Sequence, residues 1–367
     1  MRAFLFLLGA FCVWQVFAAN HPSVTYNITP LMTDPSGAIP MLGGKKIQLK
    51  SVLSPGTQVL FEDMYPRANW GHPGFFKVVS KEGALLEKVK VNLPPEHLEI
   101  APVVEGSLFR SSSQIEFKLD DFKGQMKVAD PKRFYALLIN GHADQRHWND
   151  FSFLYRVLVQ IYGYHPANIF VADSVYRQRA ADLDGNGTED IQYESTLKGI
   201  RELLGTLKQK LQAGDQLLVA INDHGNTSNG ESTIVLFDGE MTAGEFGKLL
   251  KDLVVDKILA IYEQCFSGGF IRPSVGQKRV AMSAATNIEY SWATADLNFD
   301  EFIYHVIAAF ARQTHDGKAV GSDINGDGKI SAQEAFGYAS ARDAAPESPA
   351  LESHINSGNA SEIGLNF

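Results

Sequence analysis

The sequence contains very little cysteine. Only Cys12 and Cys265 are present among its 367 residues. Cys12 lies in an N-terminal apolar stretch that reads as a signal peptide, so the exported chain retains one thiol and cannot form an internal disulfide. One Cys without a His pair at helical spacing also excludes a typical zinc site. A lone thiol in an oxidising compartment is expected to have a chemical use, although a buried, inert cysteine is the alternative.

Basic runs and long apolar runs are scarce as well. The formal net charge is -9, and no long Lys/Arg run occurs. Nucleic acids and anionic membranes attract basic patches, so neither is expected as a partner. No segment reaches the ~20 apolar residues of a spanning helix, so we expect no stable membrane insertion. The sequence leaves the oligomeric state open.

Residues 1–18 have the pattern of a signal peptide. Arg2 gives a positive start, the stretch from Phe4 to Phe17 is almost wholly apolar, and Ala18 ends a small-residue cleavage motif. The alternative is a membrane anchor, but the apolar run is shorter than a spanning helix requires. We therefore expect a secreted or periplasmic protein.

Residues 19–130 are rich in Pro, Gly and Ser and contain short β-prone runs between turn signals. These runs are Thr57–Phe61, Phe75–Val79 and Gln114–Lys118. The pattern predicts a small β-rich N-terminal domain or pro-region.

Residues 131–367 alternate short apolar strands with amphipathic helices. The predicted strands are Phe134–Ile139, Asn168–Ala172, Gln216–Ile221, Lys257–Tyr262 and Arg279–Met282, and the predicted helices are Trp148–Tyr162, Thr196–Gln212, Ala243–Leu253, Phe299–Arg312 and Ala332–Ala341. This alternation predicts an α/β fold with a mainly parallel sheet covered by helices on both faces. In such sheets, sites lie beyond the carboxyl ends of the strands.

Chemically active residues follow three of these strands. Asn140 ends the first, His224 and Gly225 follow another, and Cys265 follows a third. A Cys and a His at neighbouring strand ends suit a thiolate nucleophile and its base. Glycines at Gly225 and in the run 268–269 are expected to leave room for substrate and to expose backbone N–H groups that stabilise an oxyanion.

These motifs resemble the legumain (asparaginyl endopeptidase) family of caspase-like cysteine peptidases. The resemblance rests on Asn-Gly at 140–141 with Arg-His at 146–147, Asp-His-Gly at 223–225, and Glu-Gln-Cys-Phe-Ser-Gly at 263–268. It implies a caspase-like fold, with Cys265 as nucleophile, His224 as base and Asn140 orienting that base. The backbone N–H groups of Gly225 and Cys265 would stabilise the oxyanion.

A specificity pocket is also implied by the resemblance. Its residues map onto Arg146, His147, Glu263 and Asp300, and Ser283 at the end of the next strand is expected to line it. An Arg beside two carboxylates can donate to the carbonyl and accept from the N–H₂ of an Asn side chain. The alternatives are a surface salt bridge for Arg146 and a helix N-terminal charge for Asp300.

Two loops resemble calcium-binding loops. The ligand positions of an EF-hand loop at 323–334 are filled by Asp323, Asn325, Asp327, Lys329, Ser331 and Glu334. A second loop offers Asp182, Asp184, Asn186 and Asp190, but its twelfth position is Tyr193. We expect structural Ca²⁺ and no cofactor for catalysis; the alternative is an Asp- and Gly-rich surface turn.

The sequence therefore predicts a secreted cysteine endopeptidase that cleaves peptide or protein substrates after Asn, with Asp also accepted at acidic pH. Two alternatives remain open at this point. One is a transpeptidase or ligase, in which an amine replaces water against the same Cys–His thioester. The other is a non-catalytic, calcium-stabilised binding module on a caspase-like scaffold.

Overall fold

The computed structural model describes residues 24–28, 38–41, 45–51, 53–64, 67–68, 74–91, 95, 115–141, 144–174, 182–353 and 360–366. The predicted signal peptide, residues 1–18, lies outside this part. The chain divides into two compact units. The first is Met1–Met41, Lys46–Pro66 and His72–Ser111, and the second is Leu42–Lys45, Arg67–Gly71 and Ser112–Phe367. The division thus lies N-terminal of the predicted boundary at 130.

The first unit is rich in β-structure, as predicted. Its strands are β1 (Val24–Asn27), β2 (Ala38–Met41), β3 (Lys45–Gln48), β4 (Gln58–Asp63), β5 (Gly74–Val79) and β6 (Leu85–Val91). Four of them form an antiparallel sheet in the order β1-β4-β5-β6, and β2 pairs with β3. Alternate residues of β4 and β5 are buried, and the paired Phe61 and Phe76 rings lie 5.3 Å apart. This alternation is the pattern of a sheet with one covered face.

One predicted strand is absent. Residues 115–120 form neither strand nor helix, although the sequence predicted a strand at Gln114–Lys118. The Lys118 N–H donates to the carbonyl oxygen of His315, and the Asp120 N–H donates to the Gln313 side chain. Because these partners lie outside any strand, no ladder forms.

The second unit is built on a seven-stranded sheet of order β16-β15-β14-β10-β7-β8-β9. Its strands are β7 (Phe134–Asn140), β8 (Ile169–Asp173), β9 (Tyr193–Glu194), β10 (Gln216–Ile221), β14 (Lys257–Tyr262), β15 (Arg279–Ser283) and β16 (Ala350–Ser353). Every pairing is parallel except that of β16 with β15. A small antiparallel sheet follows β10 and consists of β11 (Gly225–Ser228), β12 (Glu231–Leu236) and β13 (Gly239–Thr242).

Helices cover both faces of the main sheet, which confirms the predicted α/β architecture. They are α1 (Gln145–Arg156), α2 (Leu197–Lys210), α3 (Ala243–Lys251), α4 (Gly268–Ser274), α5 (Glu301–Ala311) and α6 (Ala332–Ser340), with a π-turn at Val157–Ile161 and 3₁₀ turns at Phe122–Gly124, Pro131–Arg133 and Pro166–Asn168. Along β7, Ala136 and Leu138 belong to the core formed with α1, α5 and α6, whereas Leu137 and Ile139 belong to the core formed with α2, α3 and α4.

Local sequence signals set several helix ends. The Thr196 side chain accepts a hydrogen bond from the Gly199 N–H at the start of α2. Ser331 and Glu334 form a reciprocal capping box at the start of α6. No helix within the described part of the chain is long and apolar enough to cross a bilayer.

Candidate active site

Three adjacent parallel strands bring the predicted catalytic residues to one edge of the sheet. Ile221, the last residue of β10, pairs with Ile139 of β7 on one side and with Tyr262 of β14 on the other. The residues that follow these strands therefore leave the sheet at the same level. The continuous apolar runs of the strands are what place them in the buried centre of the sheet.

The His-Gly segment at 224–225 packs directly on Cys265. A Cβ atom added to Gly225 would lie 2.0 Å from the carbonyl oxygen and 3.0 Å from the nitrogen of Cys265. No side chain fits that space, so glycine is required for this close approach of two backbones. The prediction that His224 and Cys265 come from neighbouring strand ends is met by this packing.

Cys265 is a free cysteine and is fully buried. Its Sγ atom accepts a hydrogen bond from the Ser291 N–H at 3.1 Å and lies 3.6 Å from the Ser291 carbonyl oxygen. Burial raises the pKa of the thiol well above its usual range, and the negative charges of Glu347 and Glu263 raise it further. These surroundings therefore favour the protonated thiol of Cys265 over the thiolate.

The glycines after Cys265 have a different role from the predicted one. Gly268 and Gly269 begin α4. A Cβ atom at Gly268 would lie 2.8 Å from the Asn287 nitrogen, and one at Gly269 would lie 2.1 Å from the Ser232 Oγ atom. Packing of α4 against its neighbours, and not room for substrate, is what excludes side chains here. The expectation for this run was wrong because no helix was predicted at 268–274.

Asp144 links His224 to the predicted specificity residues. Its Oδ2 atom lies 3.3 Å from the Nε2 atom of His224 and 2.7 Å from the Nη2 atom of Arg146. The His224 ring also packs edge-on against the His147 ring, with 5.4 Å between centroids. Sequence analysis missed Asp144, although it immediately precedes α1, which carries both Arg146 and His147.

Arg146 and His147 meet Asp300. The Arg146 Nε atom lies 2.9 Å from Asp300 Oδ1, and the His147 Nε2 atom lies 3.4 Å from Asp300 Oδ2. The Arg146 side chain is only 10% exposed, so this is not a surface salt bridge. Asp300 precedes α5 but its side chain makes no cap hydrogen bond. The surface salt bridge considered for Arg146 is therefore excluded, whereas Asp300, as the N-cap residue of α5, still places its charge at a helix N-terminus.

Glu263 and Ser283 lie fully buried at the ends of β14 and β15. The Glu263 Oε2 atom accepts the Ile303 N–H at 2.8 Å, and the Ser283 hydroxyl donates to the Ala285 carbonyl oxygen at 3.0 Å. Burial raises the pKa of Glu263 well above its usual range, and the neighbouring charges of Glu347, Asp300 and Asp150 add to this. The buried surroundings of Glu263 therefore favour its protonated carboxyl over the carboxylate.

Glu347 is a second residue that sequence analysis missed. Its carboxylate oxygens are buried, and burial together with the charges of Asp343 and Asp300 raises its pKa. Its charge also acts on Cys265 and Glu263. Glu347 lies in the irregular segment after α6, where no strand end or motif marks a site.

Asn140 ends β7, as predicted, and is buried. Its Nδ2 group donates to the Oδ2 atom of Asp173, the last residue of β8, at 2.8 Å. The role that the resemblance gives it, orienting His224, stays a prediction.

The two calcium-like loops differ in how they arrange their carboxylates. Of the described residues, only Asp182, Asp184 and Asp190 form a group of three acidic, His or Cys side chains whose ligand atoms all lie within 4.8 Å of one another. Oxygen donors of this kind suit Ca²⁺. The Arg156 guanidinium lies beside them. Burial lowers its pKa, and the negative charges of the three carboxylates counter this change.

Backbone N–H groups donate to the acidic side chains of both loops: in the loop 182–190 they donate to Asp182, Asp184 and Asp190, and the loop 323–334 follows the same pattern. Both oxygens of Glu334 accept hydrogen bonds, one from Ile324 and Asn325 and the other from Ser331. The Asp323 carboxylate accepts the N–H groups of Gly326 and Gly328. Asp327 and Lys329 stand at further predicted ligand positions of this loop. In the second loop, the Asn186 side chain accepts a hydrogen bond from the Thr188 N–H. The donor types of both loops fit Ca²⁺.

Comparison with known proteins agrees with this site. The model of the Peptidase C13 family matches residues 165–318, a segment that contains His224, Glu263, Cys265 and Asp300. No curated protein matches the chain. A solved structure, protein GSU0716 from Geobacter sulfurreducens, is 14% identical over 60% of this chain and 92% of that one, with a TM-score of 0.39. Residues 165–318 are therefore similar to the Peptidase C13 family, the legumain family of cysteine peptidases.

Proposed function

We propose that this protein is a secreted endopeptidase that cleaves peptide bonds after Asn, with Cys265 as nucleophile and His224 as general base. The observation that carries the specificity is the Arg146 guanidinium held between two carboxylates, 2.9 Å from Asp300 and 2.7 Å from Asp144. The family match supports the coarser statement, a cysteine peptidase of the legumain kind.

The charges around Arg146 suit an uncharged amide side chain. An Asn side chain needs a donor for its carbonyl oxygen and an acceptor for its N–H₂ group, and the guanidinium and the Asp300 carboxylate are of these two types. The guanidinium disfavours Lys and Arg by repulsion. A protonated Asp presents a carbonyl and an O–H group in place of the amide, so cleavage after Asp is expected only at acidic pH.

The reaction follows from the state of the thiol. Because Cys265 rests as a protonated thiol, proton transfer to His224 accompanies attack of Sγ on the substrate carbonyl carbon. The backbone N–H groups of Gly225 and Cys265 stabilise the oxyanion, at ~3 kcal/mol per donor. His224 then gives its proton to the leaving amine, and a thioester remains. Water, deprotonated by His224, attacks the thioester, which releases the carboxylic acid product and restores the thiol. Asn140 orients His224 in this proposal.

Export and calcium binding belong to the same proposal. The signal-peptide pattern of residues 1–18 supports a secreted or periplasmic location. The oxygen donors at 182–190 and 323–334 support structural Ca²⁺. Neither loop supplies a residue to the catalytic steps above, so the ion would stabilise the fold.

A P1-scanning fluorogenic peptide library, assayed from pH 4 to 8, tests this function. Wild type, Cys265→Ala and His224→Ala are compared, with and without an added amine nucleophile. We expect cleavage after Asn, extending to Asp at the acidic end, and loss of cleavage in both variants. Cleavage after Lys or Arg would contradict the Arg146 pocket while keeping the nucleophile. Ligation to the amine without release of acid product would instead establish the transpeptidase.

A further inference from the structure

Asp150 lies fully buried on α1, one helical turn after Arg146. One of its carboxyl oxygens, Oδ2, accepts two hydrogen bonds. The Asn222 Nδ2 group donates one at 2.9 Å, and the Asp300 backbone N–H donates the other, also at 2.9 Å. A single buried oxygen therefore connects α1 to the residue that follows β10 and to the residue that precedes α5.

The two donors belong to the two halves of the candidate site. Asn222 precedes His224 by two positions, in the segment between β10 and β11. Asp300 carries the carboxylate that lies 2.9 Å from the Arg146 Nε atom. A displacement of Asp150 would therefore move the segment of the proposed base and the proposed specificity pocket relative to each other.

The helix α1 holds the chain before α5 at three points. The Asn149 Nδ2 group donates to the Asn298 carbonyl oxygen at 2.8 Å, and Asp150 accepts the Asp300 N–H. Arg146 contacts the Asp300 side chain and lies on the same helix face as Asp150, because the two are four residues apart. Arg146 thus contacts only the side chain of Asp300, whereas Asp150 fixes its main chain. The bond from the main chain limits where the Asp300 carboxylate can lie.

The surroundings of Asp150 favour its protonated carboxyl over the carboxylate. Burial raises the pKa of this carboxyl well above its usual value of 3.8, and the charge of Asp300 raises it further, whereas the two N–H bonds lower it. The oxygen of an amide accepts N–H groups as the oxygen of a carboxyl does. An Asn side chain should therefore replace Asp150 with little loss, and a side chain without an oxygen should not.

We propose that Asp150 is a positioning residue for the cleavage reaction, which holds the Asp300 side of the pocket in place against the His224 segment through its two N–H bonds. The proposal rests on the proposed function, because that function assigns Asp300 to the pocket and His224 to the base. Asp150 touches no reacting atom and acts through these two residues. Misplacement of a site by about 1 Å can cost about 100-fold in rate, so this bond network is expected to matter for activity.

Kinetics on Asn and Asp peptides at pH 5 test this role. A variant that only lowers the folded fraction lowers both kcat/KM values equally and leaves their ratio unchanged. We expect Asp150→Ala to lower kcat/KM for the Asn peptide by about 100-fold. We also expect the Asn-to-Asp ratio to fall towards 1, because a displaced pocket no longer distinguishes an amide from a carboxyl. Asp150→Asn should restore both values to near wild type.

Asp215→Ala is the matched control. Asp215 is also buried and precedes the same strand, β10, at its opposite end. Its Oδ2 atom accepts the Gln212 N–H at 2.9 Å, and its Oδ1 atom lies 3.3 Å from the Arg133 Nε atom. The ratio should stay at its wild-type value in this variant. Asn222→Ala removes one of the two Asp150 bonds from the other side and tests the same network if Asp150→Ala does not fold.

The NMR signal of the His224 ring tests the positioning without any substrate. The signal is assigned in ¹⁵N-histidine-labelled protein by its loss in His224→Gln. We expect it to shift in Asp150→Ala and in Asn222→Ala, and to stay in place in Asp150→Asn and Asp215→Ala. A wild-type signal and ratio in folded Asp150→Ala and Asn222→Ala would overturn the proposal. An Asp150→Asn variant as impaired as Asp150→Ala would overturn it too, since Asn keeps the acceptor.

The positioning role and the proposed function fail separately. A shifted His224 signal in Asp150→Ala, with no cleavage of any peptide by wild type, would retain the positioning and reject the peptidase. Cleavage after Asn by wild type, with unchanged signals and ratios in the Asp150 and Asn222 variants, would retain the peptidase and reject the positioning.

Discussion

The Nε atom of Arg146 lies 2.9 Å from the Oδ1 atom of Asp300, whose side chain has no exposed surface. The same guanidinium contacts Asp144, and Asp144 in turn lies 3.3 Å from the Nε2 atom of His224. The proposed base and the proposed specificity pocket are therefore joined through one carboxylate. A change in the pocket is expected to alter the position of the base as well as the affinity for substrate.

Arg146→Lys tests how far the planar guanidinium determines activity. Lysine keeps the positive charge but cannot donate from a fixed fork to two carboxylates at once. We expect kcat/KM on an Asn peptide to fall by at least ~100-fold, which corresponds to ~2.7 kcal/mol of transition-state stabilisation. Steady-state kinetics with separate kcat and KM values give the measurement.

The control for that variant is Arg201→Lys. Arg201 also makes a 2.7 Å contact with a carboxylate, but its side chain is 51% exposed and lies on α2. Exposed pairs contribute ~0–1 kcal/mol, so kinetics and stability should stay near wild type. Equal activity of Arg146→Lys and wild type would show that charge alone suffices and that the amide-recognition argument is wrong.

Gly225→Ala tests the contact between the two catalytic segments. The added Cβ atom would meet the Cys265 carbonyl oxygen at 2.0 Å, so one backbone must move and the oxyanion donors move with it. We expect loss of measurable peptidase activity and destabilisation of at least ~1–3 kcal/mol from overpacking. Activity assays and denaturant unfolding provide the two readouts.

Gly205→Ala is the matched control for this substitution. Gly205 lies inside α2, and a Cβ atom there meets nothing within 4 Å. Alanine in an open helical position should stabilise the protein by ~0.5–1 kcal/mol and leave activity unchanged. If Gly225→Ala behaved in the same way, the close approach to Cys265 would not matter for catalysis.

Much of the fold and site could be predicted because the signals are local. The buried strands of the parallel sheet are continuous apolar runs, and their ends mark His224 and Cys265 directly. The helices α1, α2, α3, α5 and α6 follow from their apolar periodicity. The sheet formed by β11, β12 and β13 was missed because its first strand is polar and short. The helix α4 was missed because it begins with two glycines and contains Pro273.

Two residues that influence Cys265 were not predicted because they lie far from it in the sequence. Glu347 influences Cys265 from a segment beyond α6, and Ser291 contacts the thiol from the loop after β15. Neither follows a strand that carries a catalytic motif, and neither has a periodic pattern. Only the tertiary arrangement brings them to the nucleophile, so composition and spacing could not identify them.

The free energy of unfolding should fall as the pH rises above about 5, past the usual carboxyl pKa values. Burial raises the pKa values of Asp223, Glu263 and Asp150 well above their usual values of 3.8, 4.5 and 3.8. At a pH between the usual pKa of such a group and its raised pKa, the folded state holds a proton that the unfolded state has lost. The free energy of unfolding therefore decreases with rising pH across this window. Thermal unfolding at pH 5, 6.5 and 8 measures the trend.

Asp223→Asn isolates one of these groups. The amide mimics the protonated carboxyl, so the variant should lose part of the pH dependence and gain stability at pH 8 relative to wild type. Carboxyl groups with lowered pKa values, such as Asp316, whose pKa falls to about 2, act only at lower pH. Burial lowers the pKa of His315, and this group opposes the trend below its usual value of 6.5. The exposed Glu202→Gln serves as control. A slope that is unchanged in Asp223→Asn would exclude this carboxyl as a source.

Calcium should raise the thermal stability of the protein. A ligand at about 100-fold its Kd that binds only the folded state contributes ~2.7 kcal/mol, which gives a clear upward shift of Tm. Because the carboxylates of Asp182, Asp184 and Asp190 converge within 4.8 Å, we expect Asp184→Asn to abolish most of the shift. Differential scanning calorimetry with CaCl₂ or EGTA measures it.

Asp327→Asn separates the two loops. The Asp327 carboxylate accepts the Lys329 N–H at 2.8 Å, and Asp182 of the other loop likewise accepts backbone N–H groups, so calcium would add to existing contacts in both loops. A shift that survives Asp184→Asn and disappears in Asp327→Asn would assign the ion to the EF-hand-like loop. A shift lost in both variants would indicate two sites that stabilise one cooperative unit. An unchanged Tm in millimolar CaCl₂, with MgCl₂ as the charge control, would reject calcium at both loops and leave each as a hydrogen-bonded turn.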